Sequence, residues 1–391
     1  MATLPATRRT IDPDDEAAFL DAIDQWLKRS VIPVVMHHDH NDLWPAELVT
    51  EMAEMGLFGA TIGREYGGLG LPATTYAKIV MKISAHWMAI TGIFNSHLIM
   101  AVAIERFGTP AQKAKWLPRL ASGEIRGGLA LTEPNAGTDL QAIRMTAVRD
   151  GDDYIINGTK TWISNALHAD VFALLVKTDP TANPRYQGMS LFIADKRDGF
   201  TTGKKFKKLG YNAIDSAELI FDNFHVPADQ LIGGIEGQGF FQATGGLELG
   251  RINVAARGVG LAEGALRLAT GYAQQRETMG KPIAEHQAIQ LKLGDMVTRA
   301  RAARLLTLDA ATTYDHGERC DMEAGMAKYF ASEAAVDNSQ DAMRIYGGYS
   351  YSKEYDIERF YRDAMFLCIG EGTNEMQRMI ISKQWVKRNP A

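Results

Sequence analysis

Three short clusters in this chain of 391 residues contain residue types that can do chemistry on their own. The run 37–40 joins three histidines to an aspartate, which are metal ligands, but no second ligand cluster lies at a useful spacing. We therefore interpret it as a solvated polar segment and predict no metal site. The four lysines between 204 and 208 are interpreted as a solvated face, with contact to a ligand phosphate as the alternative. The S-x-x-K match at 350–353 has no companion motif, so we attribute it to chance.

Nucleotide-binding and hydrolase motifs are a second group of patterns to test. The glycines at 67–70 and 258–260 have neither the spacing nor the strand-to-helix context of a dinucleotide fingerprint. The sequence also has no G-x-x-x-x-G-K-[ST] phosphate loop and no G-x-S-x-G nucleophile elbow. None of these three kinds of site is predicted.

A third group of strings is spread in order over nearly the whole chain. Each string alone would be weak evidence, but together they resemble the acyl-CoA dehydrogenase family. The strings are EYGGLG from Glu65, ALTEPNAGTD from Ala130, KTWISN from Lys160, RETMGKPI from Arg276, RIYGG from Arg344 and IGEGTNEMQR from Ile369.

The resemblance implies a reaction and a catalytic base. Members of the family remove the α-proton of an acyl thioester with a carboxylate and pass the β-hydride to N5 of FAD, which leaves a trans-2-enoyl-CoA. Glu371 falls at the position of that base, and an acyl chain closing over it would raise the carboxyl pKa toward a useful value. Some members carry the base just before the arginine that matches Arg251. That residue is Gly250 here, which cannot accept a proton, and the nearby Glu248 is not at that position.

The resemblance also assigns residues to the flavin ring. Leu131 and Thr132 are expected to meet the ring through backbone and hydroxyl hydrogen bonds. Trp162 and Ser164 are expected to cover its other side, because an indole can stack on the ring edge while a hydroxyl or N–H donates toward N5.

A further set of residues matches positions that contact the rest of FAD. Arg276 and Thr278 match residues that hold the pyrophosphate from a neighbouring subunit, so the resemblance implies an oligomer and, in this family, a homotetramer. Relatives have glutamine at the position of Arg344, but a guanidinium is also a good phosphate partner. The remaining matches to FAD contacts are Gln287, Arg344, Gly348 and Thr373.

For the substrate, Thr138 matches a contact to CoA, Arg251 an arginine near the base, and Gly372 the residue beside it. The Glu371 N–H and a ribityl hydroxyl would polarise the thioester carbonyl. Residues 84–100 correspond to the acyl pocket and contain no arginine. Relatives that act on glutaryl-CoA have one there, so a dicarboxylyl substrate is disfavoured. The large side chains in this segment favour short, branched or medium acyl chains.

The resemblance places the chain in fatty acid β-oxidation, with an electron-transfer flavoprotein as the partner that reoxidises the flavin. Two alternatives stay open. One is a flavin oxidase or monooxygenase on the same fold, and the other is a non-catalytic CoA-binding paralogue, which the presence of Glu371 disfavours.

The elements that position these residues follow the order helices, strands, helices. Strands confined to one run between two helical blocks predict an α+β fold. We divide the chain into an N-terminal helical domain (1–125), a middle β domain (126–236) and a C-terminal helical bundle (237–391).

Local signals refine this prediction. Pro45 and Gly56 bracket one helix, and Thr109 is expected to cap the next. Asn157-Gly158 predicts a tight hairpin turn between YII and TKTWI. The apolar stretch 87–104 contains Asn95, Ser96 and His97, which favours a buried helix over a membrane span. These predictions are testable element by element.

Composition excludes other classes. The chain has 42 Lys plus Arg against 47 Asp plus Glu, a net charge of −5 and a pI of about 6.0, so we expect no nucleic-acid partner. Two cysteines in a chain of this length fit a reducing compartment. Because the first residues contain no apolar run, we expect a cytoplasmic protein.

Overall fold

The computed structural model describes residues 9–390. Residues 1–8 and 391, which include most of the segment used for the localisation argument, lie outside the described residues. The first helical block runs from residue 13 to 121. Its helices are α1 (Pro13–Trp26), α2 (Val35–His40), α3 (Ala46–Glu54), α4 (Ala73–Phe107) and α5 (Pro110–Ala121).

The predicted helix ends are confirmed. Pro45 directly precedes α3, and Gly56 just beyond its end has φ of 74°, a conformation that favours glycine. The Thr109 hydroxyl accepts from the Gln112 N–H at 3.2 Å while the Gln112 side chain accepts from the Thr109 N–H at 2.9 Å. This reciprocal capping box begins α5.

Helix α4 is the central helix of the N-terminal block. It is long and apolar enough to cross a bilayer by length and composition, but 94% of its most apolar 18-residue window is buried inside the fold. Its backbone leaves helical geometry at Trp87 (φ −152°, ψ 95°), so the apolar stretch identified from the sequence starts at a kink. The prediction of a buried helix is confirmed, and α4 delivers its middle residues to the interior.

The middle of the chain forms one seven-stranded mixed sheet. Its strands are β1 (Gly127–Ala130), β2 (Thr146–Asp150), β3 (Asp153–Ser164), β4 (Val171–Lys177), β5 (Met189–Asp195), β6 (Phe200–Thr202) and β7 (Ser216–Pro227). Their order is β1-β4-β2-β3-β7-β6, with β5 on β4. Strands β1 and β4 are parallel, and the β2–β3, β3–β7, β4–β5 and β6–β7 pairs are antiparallel. A separate core of apolar side chains lies against this sheet.

The hairpin predicted at Asn157-Gly158 is wrong. Both residues lie inside β3, where Asn157 faces Thr146 of β2 and Gly158 faces Phe221 of β7. A register shift between 156 and 158 absorbs the irregularity as a bulge. Gly158 has φ of 136°, and a Cβ there would lie 2.3 Å from Cγ of Met145, so the glycine serves close packing rather than a turn.

Helices return after residue 238 and pack through small residues. Glycine and alanine on the facing sides of α6 (Gly239–Gln275) and α8 (Asp321–Tyr346) let the backbones approach closely. A Cβ on Gly258 would lie 2.6 Å from the Ala331 carbonyl oxygen. A two-stranded ribbon, β8 (Glu277–Thr278) with β9 (Lys281–Pro282), joins α6 to α7. The helices are α6 (Gly239–Gln275), α7 (Gln287–Asp315), α8 (Asp321–Tyr346), α9 (Ile357–Ile369) and α10 (Asn374–Arg388).

The polar runs flagged in the sequence are less solvated than expected. Asp39 is fully buried and pairs with Arg362 of α9 at 2.5 Å, and His40 lies 3.2 Å from Glu358. Lys208 is mostly buried and donates to the Ile214 carbonyl, and burial lowers its pKa to about 8. Asp39, His40 and Glu358 could share a metal ion by geometry, but Arg362 already pairs with both carboxylates. Asp39 and His40 therefore connect the N-terminal helical block to α9.

Candidate active site

Glu371 lies in the four-residue turn between α9 and α10. Its φ of 54° is unusual for a residue with a side chain, and the following Gly372 has φ of 89°. Two successive positive φ values reverse the chain so that the Glu371 carboxylate turns inward. Its Oε2 is buried.

Only one side chain among the described residues donates a hydrogen bond to this carboxylate. Asn95 Nδ2, from the middle of α4, lies 2.6 Å from Oε1, whereas Oε2 has no hydrogen-bond partner. Burial raises the pKa of Glu371, and the charge of Arg257, the Asn95 hydrogen bond, Lys328 and Arg251 partly offset that rise. Burial therefore favours the protonated form of this carboxyl more than water would.

Gly250 of α6 makes space for the Glu371 carboxylate. A Cβ at Gly250 would lie 2.2 Å from Oε2 and 2.8 Å from Cδ1 of Ile99. The two positions where the resemblance allows a base therefore face each other in space. Glutamate at one requires a very small residue at the other.

A buried lysine holds the turn that carries Glu371. Lys328 of α8 is fully buried, and its Nζ donates to the Gly372 carbonyl at 2.8 Å and to Asn374 Oδ1 at 2.9 Å. Gln377 Nε2 donates to the same carbonyl at 3.1 Å. Burial lowers the pKa of Lys328 to about 8, while the neighbouring Cys368 thiol and Glu371 act in the opposite direction. The strained turn is thus fixed from two helices.

A cavity of about 1080 Å³ lies along the N-terminal half of α6. Its lining includes Leu249 and Arg251, the neighbours of Gly250, and also Phe240 and Phe241 near the start of α6. Arg251 Nε is buried without a partner, and burial lowers the pKa of its guanidinium. The cavity therefore reaches the two residues that flank Gly250.

On the sheet, Trp162 stands out as an exposed aromatic. It has φ of 59° at a second bulge of β3, between 160 and 163, and its side chain is 61% exposed. Its ring centroid lies 4.7 Å from that of Phe206. The bulge turns the indole out of the alternating pattern, and the side chain is open to a planar ligand.

A buried ion pair joins Leu131 and Thr132 to β3. Lys160 is fully buried, and its Nζ donates to the Leu131 carbonyl at 2.9 Å and to Glu133 Oε1 at 2.8 Å. The Thr132 carbonyl accepts from the Thr161 N–H at 2.9 Å. These bonds place Leu131 and Thr132 next to the strand that carries Trp162.

Other predicted cofactor residues gather at the far end of the helical bundle. The Arg276 guanidinium lies 5.9 Å from the Tyr349 ring centroid, which brings it next to Gly348. Thr278 Oγ1 lies 3.1 Å from His286 Nε2, directly before Gln287 at the start of α7. The members of this exposed set are Arg276, Thr278, Gln287, Arg344 and Gly348.

The remaining predicted residues have separate positions. Thr138 is exposed in the loop after β1, and Ser164 ends β3 opposite Ser216 of β7. Thr373 begins α10 as its N-cap, with its hydroxyl accepting from the Met376 N–H at 3.3 Å. Thr373 thus connects the Glu371 turn to its following helix.

Comparison with known proteins accounts for this arrangement. Sequence profiles of the acyl-CoA dehydrogenase N-terminal, middle and C-terminal domains match residues 13–124, 128–224 and 237–386. The chain belongs to the acyl-CoA dehydrogenase family. The helical, β and helical blocks are therefore the three domains of an acyl-CoA dehydrogenase, and the predicted α+β fold is confirmed.

Relatives cover nearly the full length of this acyl-CoA dehydrogenase. An acyl-CoA dehydrogenase of Bacillus subtilis (strain 168) is 42% identical over 363 residues, 92% of this chain and 95% of that protein. The (2S)-methylsuccinyl-CoA dehydrogenase of Cereibacter sphaeroides is 40% identical over 89% of this chain and 65% of its own length. The butyryl-CoA dehydrogenase structure from Megasphaera elsdenii superposes with a TM-score of 0.93 at 35% identity, covering 96% of this chain and 99% of that one. The family implies a flavin cofactor, which the exposed Trp162 ring fits.

Several residues of the acyl-CoA dehydrogenase site were not predicted. Asn95 had been noted only as a polar interruption of α4, and Lys160 only as a letter of a motif. Lys328 had a detectable signal, because it and Ser332 share a helix face that otherwise carries buried alanines. A charged residue on such a face requires a buried partner, but only the fold shows that the partner is the turn carrying the base.

Proposed function

We propose that this acyl-CoA dehydrogenase carries out α,β-dehydrogenation of an acyl-CoA thioester, with Glu371 as the base that removes the α-proton. The carboxylate supports this role more than any other observation. It is buried, it has one free oxygen, and burial raises its pKa. A carboxylate in that condition gains from taking up a proton, which is the property that α-proton abstraction needs.

The surroundings of Glu371 explain how it would be poised. Asn95 holds Oε1, so Oε2 is the oxygen left to receive the proton. The missing side chain of Gly250 leaves room for Oε2, and the hydrogen bond from Lys328 holds the turn. A base fixed in this way loses little freedom when the substrate binds.

The cofactor in this proposal is FAD, which when bound accepts the β-hydride. Leu131, Thr132, Trp162 and Ser164 would surround its ring from the middle domain. The exposed set at the end of the bundle offers an arginine, hydroxyl and glycine surface suited to phosphates. In the proposed homotetramer these phosphate contacts come from a neighbouring subunit, which fits their exposure in a single chain.

The proposal also covers the substrate contacts, the electron acceptor, the cellular compartment and the pathway. Thr138, Arg251 and Gly372 would contact the acyl-CoA. An electron-transfer flavoprotein would reoxidise the flavin, in the cytoplasm and in fatty acid β-oxidation. The names of two relatives give butyryl-CoA and methylsuccinyl-CoA as substrates. Methylsuccinyl-CoA has a distal carboxylate and butyryl-CoA has none, so the names alone do not select a substrate for this chain.

Anaerobic titration of the flavin-loaded protein with saturated acyl-CoAs tests the reaction. We expect at least one acyl-CoA to bleach the oxidised-flavin absorption band with formation of one equivalent of enoyl-CoA. A flavin that no acyl-CoA reduces would overturn the proposal in favour of an oxygen-using or binding-only protein.

The Glu371→Gln variant tests the base. It should bind flavin and acyl-CoA normally but reduce the flavin about 10²–10⁴-fold more slowly, because an amide cannot take the proton. Glu375→Gln is the matched control, since it removes an exposed carboxylate in the first turn of α10. Full reduction by Glu371→Gln, or equal loss in both variants, would reject the assignment.

A further inference from the structure

Arg257 of α6 is a buried cation that the reaction described above does not use. Its side chain is 1% exposed. Nη1 lies 3.2 Å from the Tyr211 hydroxyl, whereas Nε and Nη2 are buried with no hydrogen-bond partner. Burying guanidinium donors without acceptors costs free energy. A ligand that supplies a hydrogen-bond acceptor at Nε and Nη2 would recover that cost, which favours its binding there.

Nε and Nη2 are the two donors on one edge of the guanidinium plane. Two parallel N–H groups on that edge match the two oxygens of a carboxylate, which can accept from both at once. A hydroxyl or ketone presents one oxygen, which could accept from both donors only in a forked arrangement and would leave the positive charge unpaired. The two parallel donors and the buried charge therefore favour a carboxylate over a neutral polar group.

Arg257 lies deeper in the protein than the base. It follows Gly250 by two turns on the same face of α6, about 10 Å along the helix axis. The cavity occupies the opposite, N-terminal half of α6 as far as Arg251. A thioester that enters through the cavity and places its α-carbon at Glu371 would direct the far end of its acyl group toward Arg257.

Polar groups also line the space between Asn95 and Arg257. The Tyr211 hydroxyl occupies the position where a Cβ on Gly92 would lie, one turn of α4 before Asn95. Asn95 Oδ1 is also buried without a partner. This end of the site is unlike the all-apolar pocket that a plain hydrocarbon chain would favour.

We propose that Arg257, oriented by Tyr211, binds a carboxylate at the far end of a short acyl group, so that the preferred substrate is a dicarboxylyl-CoA. The inference rests on the proposed function and specifies its substrate class. It reverses the expectation drawn from the missing arginine in 84–100. The arginine comes instead from α6, which packs against α4.

The test compares acyl-CoAs of equal chain length with and without a distal carboxylate. Flavin reduction is measured anaerobically with butyryl- against succinyl-CoA, pentanoyl- against glutaryl-CoA, and hexanoyl- against adipyl-CoA. We expect at least one dicarboxylyl partner to reduce the flavin with an apparent second-order rate constant about 100-fold above that of its monocarboxylyl match. A site built around polar donors rejects analogues that lack the acceptor by at least this much.

Variants at Arg257 identify the residue that discriminates. Arg257→Gln should remove most of the dicarboxylyl preference, Arg257→Lys should keep part of it, and the exposed Arg119→Gln should keep all of it. If the substitution slows flavin reduction equally with both acyl-CoAs of each pair, Arg257 acts only through the charge of Glu371, and the inference is overturned. If Arg257→Gln does not fold, the wild-type preference and the lysine variant decide.

The outcomes separate this inference from the proposed function. Reduction by monocarboxylyl-CoAs alone leaves the dehydrogenase intact and rejects the carboxylate site. Reduction by neither series rejects the proposed reaction itself.

Discussion

Two regions are predicted to serve the reaction, and they differ in how far a single chain encloses them. The acid pocket, defined by Glu371, Asn95, Gly250 and Arg257, is enclosed by helices α4, α6 and α8 to α10 of the same chain. The exposed set at the bundle end and Trp162 present their side chains outward. A group whose pKa must be shifted needs burial, whereas groups that hold a large cofactor must stay open until it binds.

The largest expected effect concerns the support beneath the flavin-ring residues. Lys160→Met leaves the buried Glu133 carboxylate without a counter-charge, although two backbone N–H groups still donate to it, so the free energy of unfolding should fall by about 3–5 kcal/mol. Denaturant unfolding of the apoprotein measures it. Lys204→Met, at an exposed position of the same domain, is the control. If both variants lose a similar free energy of unfolding, the Lys160–Glu133 ion pair does not stabilise the region that holds Leu131 and Thr132.

The acid pocket should tolerate no extra atom beside the base. Gly250→Ala places a Cβ against Oε2 of Glu371 and should cost about 1–3 kcal/mol of unfolding free energy, together with most of the flavin reduction rate. Gly271→Ala, on the same helix with open space around it, should instead be neutral or stabilising. If both alanine variants have the same unfolding free energy and the same flavin reduction rate, the pocket around Glu371 is not tightly enclosed.

The pH dependence of flavin reduction reports on the same pocket. The base must be ionised, so the rate should fall as pH falls through its raised pKa. Asn95 hydrogen bonding favours the carboxylate form, so Asn95→Ala should move the midpoint to higher pH by about one unit. Ser96→Ala on the next residue serves as the control. A shift to lower pH would show that Asn95 does not donate to Glu371.

The smallest expected effect is in the open region. Trp162→Ala should change the unfolding free energy of the apoprotein by about 0.5 kcal/mol or less, because the indole is mostly exposed. Flavin affinity should nevertheless weaken by about 0.5–1.5 kcal/mol through lost ring contact. Fluorescence titration with FAD measures this change. Unchanged affinity would remove Trp162 from the cofactor site.

Some features could be read without coordinates because they depend on local chemistry. Thr109 caps α5 through a hydrogen bond three residues away, and the order of helices and strands follows from patterns along the chain. The Asn157-Gly158 turn was predicted by the same kind of local rule and failed, because pairing of β3 with both β2 and β7 outweighs a two-residue preference. Local rules hold where neighbours in sequence supply the interaction.

The sequence by itself determined the family, the three-block order, and the carboxylate that can act as base, since these are carried by residue identities in contiguous strings. Only the tertiary structure decided the surroundings of that carboxylate. Asn95 lies 276 residues from Glu371 in the chain, and Lys328 and Arg257 reach the site from two further helices. Such contacts depend on how helices pack, and a pattern along one helix does not reveal which distant side chain fills the space beside it.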